Sequence, residues 1–165
     1  MTAYPLTPLA RIRQLREDAA ATECAGREKA LLAARQETLL HRKALEDYLL
    51  WRKEEEERRY QAILGQEMPR REMEIFKSGI AALRDKDAIL LEAVEAAQKA
   101  EAEAARLRDE AVKILQQRRK DKEKIEAHRE IWQSGEAKEA ERREDLEMEE
   151  FTGVKKADPG EGSDE

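Results

Sequence analysis

The sequence predicts an all-α chain, a long antiparallel two-helix coiled-coil hairpin followed by a disordered C-terminal tail. Three observations carry this. Of 165 residues, 42% are charged and only 4% aromatic, with Ala, Glu, Lys, Arg and Leu dominant; that is the composition of long helices and not of sheets. Apolar residues recur about every 3.5 positions over some eight heptads, the mark of a left-handed coiled coil. Between residues 8 and 134 one stretch, "LGQEMPRR" (Leu64–Arg71), joins a glycine to a proline and can reverse the chain. Disorder is the usual alternative for so charged a chain, but here both signs are mixed and the apolar residues are periodic rather than sparse.

The elements follow in order. Residues 1–6 form an N-terminal arm. The first helix spans 7–64, with Thr7 as N-cap and Pro8 at the first helical position. Its seam is Leu9, Ile12, Ala19, Leu31, Ala34, Thr38, Leu45, Leu49 and Ile63, and His41 falls on the same seam as a packed side chain. The turn is 65–69. The second helix spans 70–150 and holds the clearest repeat: Phe76, Ile80, Leu83, Asp87, Leu90, Val94, Ala97, Glu101, Ala104, Arg108, Ala111, Leu115, Arg118, Lys122, Ile125, Arg129, Trp132, eleven of seventeen apolar. Ala93, Ala100, Leu107 and Ile114 flank it. Gly26 and Gly79 stay helical at some cost. A short loop closes at little entropy, so the helices pair within one chain. Residues facing each other then have numbers summing to roughly 134, which sets Leu31 near Ala100 and Tyr4-Pro5-Leu6 opposite Trp132. Beyond about residue 135 the second helix has no partner, and 151–165 reads as a disordered acidic tail.

Charge and composition exclude several functions. The net charge is −6, with nine Lys/Arg against five Asp/Glu between Arg106 and Arg129, but five against twelve from Glu136 to Glu165. An acidic chain is a poor nucleic-acid binder. No apolar run reaches the ~18 residues of a membrane span, and "MTAYPLTPLARIRQLRED" lacks the charged start and apolar stretch of a secretory signal. A single cysteine, Cys24, allows no internal disulfide and fits a reducing cytoplasm. The two histidines lie far apart in sequence with no metal-ligand spacing, and no glycine-rich phosphate loop is present. No enzymatic activity, metal or cofactor is expected. The "EEEE" of Glu54–Glu57 reads as a solvated face paired with Arg58 and Arg59.

"YLLWRKEEEERRYQ" (Tyr48–Gln61) holds three of the seven aromatics inside that charged stretch. With the seam set at Leu45 and 100° per residue, Trp51 points to the back of the helix, together with Leu32, Leu39, Leu40 and Leu50. A tryptophan in such a cluster is either a docking residue or, where the helix phase drifts, a flank of the core. At the other end, Arg11, Arg13 and Arg16 come near Arg118, Arg119, Lys120, Lys122 and Lys124, making the open end basic unless the adjacent Glu17, Asp18, Asp121 and Glu123 neutralise it.

Three segments, "YPLTPLARIRQLRED", "YLLWRKEEEERRYQAILGQEM" and "HREIWQSGEAKEAERREDLEMEEF", closely resemble the YscO family of type III secretion systems, also called SctO and similar to the flagellar export protein FliJ. The resemblance implies a cytoplasmic stalk protein at the base of the secretion apparatus, an antiparallel helical hairpin in the pore of the hexameric secretion ATPase that reaches the cytoplasmic domain of the export gate. It also implies binding of chaperones for exported subunits. In FliJ-like proteins the gate-binding surface lies in the turn-proximal half, which maps to Tyr48, Trp51, Arg52, Phe76 and Ile80, although Phe76 and Ile80 also fall on the seam. The basic end, Arg11, Arg13, Arg16, Arg118, Arg119 and Lys122, would meet the ATPase. The hairpin implies a monomer, with no nucleic acid bound and no membrane insertion. Two rival classes are a structural coiled-coil dimer and a chaperone-like binder of partner helices.

Overall fold

The structure, a computed structural model, describes residues 3–155. It consists of two long helices packed against each other, α1 (Thr7–Ile63) and α2 (Arg70–Lys155), with no strand among the described residues. α2 therefore runs through the first residues of the stretch expected as a disordered tail, Phe151–Lys155; the rest of that stretch lies outside the described residues.

The ends of the helices show how the chain turns. Leu6 C=O accepts the Ala10 N–H at 2.9 Å, so the cap position falls one residue before Thr7. Thr7 was expected to cap the helix with its hydroxyl. Instead that hydroxyl donates backward to Tyr4 C=O at 2.6 Å, which ties the arm to the first turn. Pro8 lies in that turn, where its missing N–H costs nothing. At the far end Gly65 takes φ = 75°, a conformation a Cβ would oppose, and stops α1 in the left-handed manner. Pro69 C=O then accepts the Met73 N–H at 3.1 Å and opens α2.

Two compact units divide the molecule. The turn-side unit holds Ala21–Ile114. Its core is Leu31 and Thr38 from α1 with Ile80, Val94 and Ala111 from α2, all buried, and half-buried Ala34, Leu45, Leu83, Leu90, Ala97 and Ala104 extend it. Thr38 is buried without cost because its hydroxyl donates to Ala34 C=O at 3.1 Å within its own helix. Cross-helix pairs confirm an antiparallel register: Glu28 with Arg108 at 3.3 Å and Arg35 with Glu101 at 3.8 Å. Ala100, expected beside Leu31, faces solvent, and the next half-buried alanines of α2 are Ala104 and Ala105.

The open-end unit combines α1 up to Ala20 with α2 from Leu115 onward. Its buried residues are Tyr4, Ala20, Leu115 and Ile125. Here the expected α1 seam is wrong. Leu9, Ile12 and Ala19 are exposed, Ile12 by 45%; Arg13, Gln14 and Glu17 turn inward instead. The cause is the opposite helix. α2 presents half-buried Lys122 here, which Glu17 meets, and the Asp121 carbonyl, which Arg13 meets, and half-buried charge needs a polar partner more than it needs a leucine. In the turn-side unit Leu49 also sits outward of its expected place, at the edge of the seam. On α2 every position of the expected repeat is buried or half-buried except Arg129.

Candidate interaction surfaces

In the turn-side unit an aromatic pair lies over an ion network. Tyr48 is half-buried; its hydroxyl donates to Leu83 C=O across the helices at 2.8 Å, and the Lys86 ammonium stands 4.9 Å from its ring centre. Burial, followed by the nearby Asp87 carboxylate, pushes the Tyr48 phenol above its ordinary value. Trp51 rests on the Tyr48 ring, centroids 5.5 Å apart, and remains 48% exposed. Tyr48 thus holds one face of the indole while the rest meets solvent. Leu39, Leu40 and Leu50 of the same helix are more exposed still.

Arg52, one residue on, points the other way. Its guanidinium donates to Asp87 of α2 and to Glu56 of α1, each at 2.9 Å, and Glu56 also accepts Arg84 of α2 at 3.0 and 3.2 Å. Glu55 accepts Arg58 at 2.6 and 2.8 Å and Arg59 at 2.9 Å. The acidic run was read as a solvated face. That holds for Glu54 and Glu57, whereas Glu55 and Glu56 turn inward and are half-buried. Hydrogen bonds from Arg58 and Arg59 bring the Glu55 carboxyl down to about 2 from an ordinary 4.5. Those from Arg84 and Arg52 lower Glu56 as well. Both carboxylates have folded values below their unfolded ones, so their stabilisation is full above the ordinary carboxylate range and is lost as pH falls through the folded value, which for Glu55 is about 2. Thermal melts followed by circular dichroism should show a flat melting temperature from neutral pH down to about 5 and a steep loss below it. Glu56→Gln should melt lower than the parent at pH 7 and show a shallower acid limb.

Phe76 is half-buried against Tyr60, ring centroids 5.2 Å apart and edge-on. Ile80 is buried in the seam, 6% exposed. Of the five residues assigned to the gate surface, then, Trp51 alone is exposed; Tyr48, Arg52 and Phe76 are half-buried, and Ile80 offers nothing to a partner in this packing.

In the open-end unit Tyr4 forms the centre of an aromatic clasp. Its hydroxyl is 2.8 Å from His128 Nδ1, its ring is 5.5 Å from Trp132, and the Arg129 guanidinium lies 5.7 Å from its ring centre. The expected contact between the arm and Trp132 is present. The His128 bond was missed, yet the pairing sum that faced Tyr4 to Trp132 also places His128 one turn away. In a Trp51→Phe background, Tyr4→Ala should shift Trp132 fluorescence to longer wavelength as water reaches the indole; an unmoved spectrum would contradict the clasp.

The basic residues separate into two groups. Arg13 donates to Asp121 C=O at 2.6 Å. Glu17, half-buried, lies 3.6 Å from Arg119 and 2.9 Å from Lys122. The Glu17 carboxylate beside the Lys122 ammonium is the first cause of a raised Lys122 pKa. Local acids therefore neutralise part of the basic end. Arg11 and Arg16 are exposed and Arg118 is half-buried. Among the described residues no cluster of His, Cys, Asp or Glu could hold a metal ion, and no helix is long and apolar enough to cross a membrane.

A family model described as Type III secretion protein YscO matches residues 6–154. The chain belongs to the YscO family. The crystal structure of type III secretion protein YscO from Vibrio parahaemolyticus is similar, with a TM-score of 0.80 and 27% identity over 88% of this chain and 92% of that one. A YscO homolog from Chlamydia trachomatis shares the fold, with a TM-score of 0.77 and 21% identity over 93% of this chain and 94% of that one. No curated protein matches significantly. YscO membership makes this a type III secretion protein, and the two-helix packing is the architecture of its solved relatives.

Proposed function

We propose that this YscO-family chain is the cytoplasmic central stalk of a type III secretion apparatus, linking the hexameric secretion ATPase to the export gate. The observation that carries the reading is Trp51. A half-exposed indole, steadied by Tyr48 and surrounded by charged residues, has the residue type and setting of an interface anchor. The gate surface in this reading is Trp51 with the exposed edge of Tyr48, and Ile80 is not part of it. The ATPase surface rests on Arg11 and Arg16, which are exposed and belong to the basic end; such a patch suits an acidic ring around it.

Binding of the purified chain to the isolated cytoplasmic gate domain and to the purified ATPase tests both halves. Trp51→Ala should weaken the gate complex and leave ATPase stimulation intact, while Arg11→Glu with Arg16→Glu should do the reverse. A wild-type chain that binds neither partner would overturn the stalk reading, and co-purification with export substrates alone would favour a chaperone-like binder.

A further inference from the structure

On α1 in the open-end unit, Leu9, Ile12, Leu15 and Ala19 recur at spacings of three, three and four and all face solvent, Leu15 by 59%. Helical spacing puts them in one stripe along the outside of the helix. Exposed Arg11 and Arg16 border it on either side, and between Thr7 and Arg16 there are three arginines and no acid. Exposed Leu6 precedes the stripe, and its next position, Glu23, is charged. The face is already folded. A free segment of a dozen residues would have to form its helix on binding. Here Tyr4 pins the arm through His128 and Trp132, and the Thr7 hydroxyl ties the first turn to Tyr4 C=O.

Trp, Tyr and Arg lead among the anchors of protein interfaces, and leucine is under-represented there; this stripe has no aromatic side chain. Aliphatic residues along one line with cations on both borders suit a helix lying in a membrane interface. The apolar side chains enter the acyl boundary, and the arginine stems lie along them while their guanidinium groups reach the phosphates. We propose that α1 from Leu9 to Ala19 docks the chain on an anionic lipid surface, lying in the plane of that surface without crossing it. The net charge is −6, and the excess acid lies from Glu136 onward, five Lys/Arg against twelve Asp/Glu. Attachment is therefore local and reversible, and it needs both the stripe and its arginines. Arg11 and Arg16 also belong to the surface assigned above to the ATPase, so a lipid-bound chain does not offer them to the ATPase. Vesicles alone suffice to test the docking, and its failure would leave the ATPase assignment standing.

The test is co-sedimentation of the full chain with vesicles of equimolar phosphatidylglycerol and phosphatidylcholine, beside vesicles of phosphatidylcholine alone. The chain should pellet with the mixed vesicles in low salt, stay in solution with the neutral ones, and come off as salt rises. Arg11→Glu/Arg16→Glu should weaken binding by at least about tenfold, since each basic residue at an anionic surface contributes roughly fivefold. Ile12→Ser/Leu15→Ser should abolish it, and Ile89→Ser, at an exposed position of the turn-side unit, should leave it unaltered. All these positions are exposed, so helicity by circular dichroism should be unchanged. Should a double variant lose helix, a label decides: in a Cys24→Ser background, an environment-sensitive fluorophore on Leu15→Cys should shift to shorter wavelength with mixed vesicles, and one on Ile89→Cys should not. The proposal is overturned by a chain that ignores mixed vesicles in low salt, by equal pelleting with neutral ones, by binding that survives both double variants, or by a fluorophore at position 15 that stays in water. A chain that ignores vesicles while Arg11→Glu/Arg16→Glu still weakens its ATPase complex would assign the face to an acidic protein instead.

Discussion

Ile80→Ala lowers the stability of the protein by about 2–3 kcal/mol, near the lower end for removing a buried isoleucine side chain. Ile80 is 6% exposed and lies on the turn side with Val94 on the same helix stripe. A two-helix core is only one layer deep, so each buried residue carries a large share of the apolar contact, and the turn-side unit has just five buried residues. Neighbours can partly collapse into the space, which keeps the cost below that of a globular core. The measurement is urea unfolding followed by circular dichroism. A loss under about 0.5 kcal/mol, the range of surface substitutions, together with weakened gate binding, would return Ile80 to the docking surface that the resemblance to FliJ-like proteins implied.

Trp51→Ala gives the opposite result. Half of its side chain already meets water, and its main packing partner, Tyr48, is held independently by the bond to Leu83 C=O. Removal should therefore change stability by less than about 1 kcal/mol. If Trp51 is the anchor proposed above, affinity for the gate domain should fall by about 1–2 kcal/mol, roughly five- to thirtyfold, because truncating an anchor leaves its pocket on the partner unfilled. A Trp51 that only flanked the core would reverse the two numbers, costing ~3–5 kcal/mol of stability and no affinity. Measuring both quantities on one variant separates the cases.

The Trp51 phase was legible in the sequence because its helix had a strong local reference in Leu45 and, across the turn, an apolar partner face. Arg52 was harder. Its type suits an interface, and only the position of Asp87 across the seam, with Glu56 one turn on, shows that its guanidinium is engaged within the chain. Glu55 and Glu56 illustrate the same limit: four consecutive glutamates are indistinguishable by pattern, and the arginines that draw the middle two inward come partly from the other helix. The Tyr4–His128 bond needed the register to within one turn, which the turn position supplied but the sequence reading did not use.

What the sequence alone determined is the class, the turn and the α2 seam. Composition favours helix, Gly65 and Pro69 mark the one break between residues 8 and 134, and the α2 repeat is apolar enough to identify its own inner face. What only the tertiary structure decided is which face of α1 turns inward in the open-end unit. Apolar periodicity marks a helix's inner face when the opposing face is apolar too. Where α2 offers the half-buried Lys122, a polar partner is favoured over a buried Ile12 or Leu15; Glu17 goes inside beside it, Arg13 goes inside to bond the Asp121 carbonyl, and the apolar residues are left facing water.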